Sequence, residues 1–137
     1  MSAVNVVDSS GWLEYFTGSD RASLFAPAIE DTENLFVPVI SIYEVFKKVL
    51  RVRGEDDALH VACMMQVGRV IDLDSALALE AARHLLPLAD SLIYASAMRH
   101  EATLWTQDEH FKDFPKVRYF PRQSTSSETV KEVGEAG

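Results

Sequence analysis

Ala3-Val4-Asn5-Val6-Val7-Asp8-Ser9-Ser10-Gly11 is the stretch that decides the fold class. Residues 3–7 are dominated by β-branched side chains and read as a short buried strand, which Asp8-Ser9-Ser10-Gly11 punctuates. The period then changes. Trp12, Leu13, Tyr15 and Phe16 have helical spacing, closed by Gly18. A strand that hands over at once to a helix is the opening unit of an α/β protein.

The alternation continues outward from that unit. Asp20 to Glu30 reads as a second helix, with Leu24, Phe25, Ala28 and Ile29 on one side, and Leu35-Phe36-Val37 as a strand closed by Pro38. Ser41 to Arg53 carries Ile42, Val45, Phe46 and Val49 at i, i+3, i+4 and i+7, the stripe of an amphipathic helix. Further helices are expected over 56–67, from Asp74 to about Leu86, and from Asp90 to about Arg99. Short strands are expected over 69–73, 103–106 and 117–120. This order predicts a mostly parallel sheet with helices on both faces, where ligands bind beyond the carboxyl ends of the strands.

The chain of 137 residues suits a single domain, and 47% hydrophobic content is enough for a real core. We place that domain at residues 1–122. Residues 123–137 turn to Ser, Thr, Glu, Lys and Gly and are expected to be a disordered tail. No apolar run approaches the length of a membrane span, and residues 1–7 lack the charged start of a secretory signal, so a cytoplasmic protein is expected. The single cysteine, Cys63, excludes an intrachain disulfide. The net charge of −8 argues against a protein that simply coats nucleic acid. It argues less against a nuclease, because acids that bind a cation belong to the negative total.

Four acids carry the chemistry. Asp8 follows the first strand, Glu44 lies one turn into a helix after the second, Asp90 opens a helix, and Asp108 follows the 103–106 strand. A parallel sheet projects such positions towards one edge. Like charges brought together raise one another's pKa, and a hard divalent cation relieves them. Each acid also has an ordinary reading. Asp8 and Asp90 suit helix N-caps, Ser41 with Glu44 has the spacing of a capping box, and Asp108 suits a turn. Lys47, Lys48 and Arg51 share a helix face with Glu44. They are either solvated ion-pair partners or a phosphate-contacting rim beside the metal. His60 and Cys63 read as packing residues rather than ligands, and His110 suits either the pocket wall or the surface.

Val6-Val7-Asp8-Ser9-Ser10, Ser41-Ile42-Tyr43-Glu44-Val45, Leu88 to Ala97 and Leu104-Trp105-Thr106-Gln107-Asp108-Glu109-His110-Phe111 resemble, in order, the signature segments of PIN-domain ribonucleases. Length and motif order look most like the VapC toxins of type II toxin–antitoxin pairs, over about residues 3–121. The resemblance implies a PIN-like three-layer α/β/α sandwich and an RNA-cleaving hydrolase that needs Mg²⁺ or Mn²⁺. It assigns catalysis to Asp8, Glu44, Asp90 and Asp108, the metal to Asp8, Asp90 and Asp108, and a supporting hydrogen bond to Thr106. Asp113 is an alternative to Asp108, since some relatives place an acid a few residues later. The implied partners are RNA, a cognate VapB-like antitoxin and a second copy of the chain. Three other readings stay open: a PIN nuclease of RNA processing, a non-catalytic binding module, and a phosphotransfer domain. Ser10, where that last class would carry a second Asp, weighs against it.

Overall fold

A computed structural model of the chain describes residues 3–122, so the expected tail at 123–137 lies outside the described residues. Five strands and six helices alternate along it. They are β1 (Asn5–Val7), α1 (Ser9–Thr17), α2 (Ala22–Ile29), β2 (Phe36–Pro38), α3 (Val39–Arg53), α4 (Glu55–Met65), β3 (Arg69–Ile71), α5 (Ser75–Ala81), α6 (Leu88–Arg99), β4 (Thr103–Thr106) and β5 (Val117–Tyr119). Every pairing is parallel: β1 with β4, β4 with β5, and β2 with β3. A single parallel bridge between Asn5 and Leu35 joins the two sets, so the strands run β3-β2-β1-β4-β5.

The centre of the sheet explains the layering. Successive side chains of a strand point to opposite faces, and β1 uses both. Val7 enters a core built with Trp12, Phe25, Val45, Val49 and Val61 of α1 to α4. Val6 enters another, with Ile93, Tyr94 and Ala97 of α6 and Leu104 of β4. Both valines are fully buried. The result is helix, sheet, helix, with α5 packed through Leu77 and Ala81 on Leu92 and Ala95 of α6.

Several boundaries differ from the sequence reading, and two of them bear on the acids. Helix α3 starts at Val39 behind Pro38, so Ser41 and Glu44 form no capping box. Proline at the start of a helix gives up an amide that had no partner anyway. Helix α6 starts at Leu88 behind Pro87, which puts Asp90 in its first turn instead of at its N-cap. Helix α5 ends at Ala81, short of Leu86. His60 and Cys63 are both exposed on α4, not packed in the core, because Ala58, Val61 and Met65 take its buried face.

The start of α1 leaves no room for a side chain. A Cβ on Gly11 would stand 2.7 Å from both the Phe25 Cδ1 and the Val7 Cγ1. Alanine normally favours a helix over glycine by about 1 kcal/mol. Here overpacking outweighs that gain. Gly11→Ala is expected to destabilise the fold by about 1–3 kcal/mol in urea unfolding; a more stable variant would contradict this packing.

Candidate metal and active site

Asp8 anchors the site. It leaves β1 and caps α1, accepting from the Gly11 amide at 3.0 Å. Its other oxygen accepts from the Thr106 hydroxyl at 2.6 Å, and the Ser10 hydroxyl reaches both oxygens. The sheet register dictates the Thr106 contact. Val7 lies opposite Trp105, so the next residues on the two parallel strands meet at the strand ends. Thr106 is fully buried, and its oxygen also accepts from the Asp108 amide at 2.9 Å. One hydroxyl thus ties two acids together. Only 3% of the Asp8 surface is exposed. Burial pushes its pKa up from 3.8 to about 6, against the pull of the hydrogen bonds from Thr106, Gly11 and Ser10.

Asp8, Glu44, Asp90 and Asp108 line one pocket of about 280 Å³, walled on its apolar side by Leu13 and Ile93. Glu44 comes from α3 and accepts from the Ser9 hydroxyl at 2.5 Å. Asp90 projects from the first turn of α6. Burial raises its pKa, a hydrogen bond from His110 pulls it back, and the charges of Asp108 and Glu44 add to the rise. Asp108 caps a 3₁₀ turn at Glu109–Phe111, which brings the exposed His110 beside Asp90 and Asp108. The His110 Nδ1 lies 2.9 Å from Asp90 and 3.1 Å from Asp108. Those carboxylates raise the imidazole pKa, with the Asp90 hydrogen bond the largest cause.

The donor set suits a divalent ion. One oxygen each of Asp90 and Asp108 and a ring nitrogen of His110 lie within 4.8 Å of one another. Magnesium and manganese take carboxylates and keep several waters, which the open pocket allows. Asp8 and Glu44 stand outside that close group but face the same space.

The sequence profile of the PIN domain matches residues 6–117. The chain belongs to the PIN-domain family. Among solved structures it is similar to a toxin–antitoxin complex from Klebsiella pneumoniae, at 21% identity and a TM-score of 0.68, over 85% of this chain and 96% of that one. VapBC2 from Rickettsia felis, bound to a promoter DNA fragment, gives 13% and 0.67, over 86% and 99%. VapC20 from Mycobacterium tuberculosis, a toxin that cleaves the sarcin–ricin loop, gives 18% and 0.64, over 79% and 92%. Among curated proteins, none matches the sequence. The fold is therefore the three-layer PIN fold seen in VapC toxins.

Within this PIN domain, some of the residues picked out in the sequence stand away from the pocket. Lys47, Lys48 and Arg51 lie on α3, and none of them lines it. The Lys47 ammonium lies beside the Tyr43 hydroxyl at 3.4 Å. Asp113 is exposed and also outside the lining, which Asp108 completes. Sequence reasoning left out Ser9, Ser10 and Gln107, and it left His110 open between wall and surface. Ser9 and Ser10 adjoin Asp8, so their hydroxyls were a usable signal. The bridging role of His110 had none, because it depends on α6 lying beside the 3₁₀ turn.

A buried acid with a raised pKa costs the fold stability while it is ionised. That cost is fully present above the folded pKa and fades as pH falls from about 6 towards the ordinary 3.8. In metal-free protein, Asp8→Asn is therefore expected to melt above wild type at neutral pH, with the gap closing as pH drops below about 6. A gap that does not change with pH would exclude this account of Asp8.

Proposed function

We propose that this chain is a metal-dependent endoribonuclease, the toxin of a VapBC-type toxin–antitoxin pair, which hydrolyses RNA phosphodiester bonds with an activated water. One observation carries the reading: four carboxyl side chains from separate elements line a single pocket. Its place in the PIN family and its likeness to VapC folds support it. Electrostatics adds to that support, since Asp8 and Asp90 both have raised pKa values and such a pocket is easier to ionise around a cation.

In this reading Asp8, Asp90 and Asp108 hold Mg²⁺ or Mn²⁺, directly or through waters, with His110 beside them. The cation supplies Lewis acidity and lowers the pKa of a water. The protein side chains do the rest. Thr106 fixes the Asp8 carboxylate and the Asp108 backbone with one hydroxyl. Ser9 holds Glu44 at the pocket wall, where its carboxylate orients water and adds to the field. Leu13 and Ile93 restrict solvent on one side. The toxin acts in the cytoplasm as a homodimer, and a VapB-like antitoxin silences it. No helix among the described residues is long and apolar enough to cross a membrane.

Incubation of the purified protein with total RNA tests the proposal. Fragmentation is expected with Mg²⁺ or Mn²⁺ and none with chelator. Asp8→Asn should lose cleavage by about a hundredfold or more, although the same change is expected to stabilise the metal-free fold. RNA left intact under every metal condition would end the nuclease reading, and cutting that survives chelation would end its metal dependence.

A further inference from the structure

A second polar pocket, of about 220 Å³, adjoins the first and shares Asp108 with it. Gln107, Tyr119 and Arg122 complete most of its wall, and Glu109 stands at its exposed edge. Among the described residues, Arg122 is the only cationic side chain that lines either pocket.

The backbone just before Arg122 is held by hydrogen bonds. Arg21 donates through Nε to the Gln107 side-chain oxygen at 2.5 Å, and through Nη2 to the Phe120 carbonyl at 2.9 Å. The same guanidinium reaches the Pro121 carbonyl at 3.4 Å. Gln107 is buried and commits its amide nitrogen to Glu14 at 2.8 Å. One arginine thus fixes the loop that bears Asp108 and the segment that bears Arg122. The backbone leading to acid and cation is set before any ligand arrives, and such preorganisation lowers the cost of binding, while the Arg122 side chain itself is exposed. The charge of Arg122 does reach Glu14, but that carboxylate already accepts from Ser19 and Gln107.

A nuclease that cuts inside a strand must hold phosphates beside the scissile one. On a chain of net charge −8 that is a difficulty, because the acidic pocket repels them. We propose that the Arg122 pocket is a subsite for the RNA phosphate next to the scissile one, with Arg122 as its anion ligand and the Tyr119 ring as a flanking surface. This rests on the nuclease reading. It assigns the backbone contact to Arg122 and not to Lys47, Lys48 and Arg51, which line neither pocket.

The test is binding of a short randomised single-stranded RNA, measured by fluorescence anisotropy over a salt series. All proteins carry Asp8→Asn so that the RNA stays intact. Arg122→Gln is expected to weaken binding about tenfold. The log–log salt slope should fall by about 0.7, the value for one lost phosphate contact on a single strand. Arg122→Lys should restore the slope, while the melting temperature stays at the parent value in both variants. Unchanged affinity and slope in Arg122→Gln would overturn the subsite, as would a loss that only follows a lowered melting temperature. Cleavage by the unmutated chain separates the two ideas. A chain that cuts RNA and is indifferent to Arg122 refutes the subsite alone. A chain that holds RNA through Arg122 and never cuts it refutes the nuclease.

Discussion

The bond from the Thr106 hydroxyl to the Asp8 carboxylate sits where the first and fourth strands end side by side. Everything at the site is arranged around it. Asp8 is almost wholly buried, so its oxygens need partners, and the fold gives them Gly11, Ser10 and Thr106. An unpaired buried carboxylate would be far more costly than a paired one. Thr106 in turn accepts from the Asp108 amide, so the position of one acid is passed to another through a single oxygen. The hydrogen bonds do not cancel the cost of burial. Asp8 remains hard to ionise, and the protein holds a charge-hungry group at the strand ends.

That cost is distributed in a way that suits binding rather than stability. Asp90 is also raised by burial, with like charges nearby, and the His110 imidazole leans between Asp90 and Asp108. A positively charged imidazole in that place lowers the repulsion of the metal-free pocket, as a divalent ion does more strongly. Natural proteins commonly break local rules at functional sites and compensate for it elsewhere in the fold. Here the compensation comes from two cores that meet through Val6 and Val7 on opposite faces of the central strand. The close approach of Phe25 to Gly11 brings α2 tightly against the helix that Asp8 caps.

Charge is arranged less visibly. The chain is acidic overall, yet its acids are not spread evenly with respect to function. The basic stripe that is most visible in the sequence, Lys47, Lys48 and Arg51, lies on α3 outside both polar pockets. Arg21 and Arg122 are isolated in sequence and are brought to one region by the ends of β4 and β5. Arg21 uses its donors on structure, which leaves Arg122, among the described residues, as the cation that lines the neighbouring pocket.

The order of elements, the parallel sheet and the acids after the strands were legible in the sequence, because each depends on local periodicity and turn chemistry. The first strand needed no strict alternation to be read, since a short β-branched run closed by Asp8 and Gly11 sufficed. Helix starts were less legible, since Pro38 and Pro87 let α3 and α6 begin earlier than the Ser and Asp residues that looked like caps. What only the tertiary structure decided was neighbourhood. The register of β1 against β4 sets Thr106 beside Asp8, the approach of α6 to the 3₁₀ turn sets His110 between Asp90 and Asp108, and Arg21 reaches Gln107 across 86 positions of chain. Periodicity says which face a side chain takes. It does not say which distant side chain will share that face, because that follows from how strands pair and layers close.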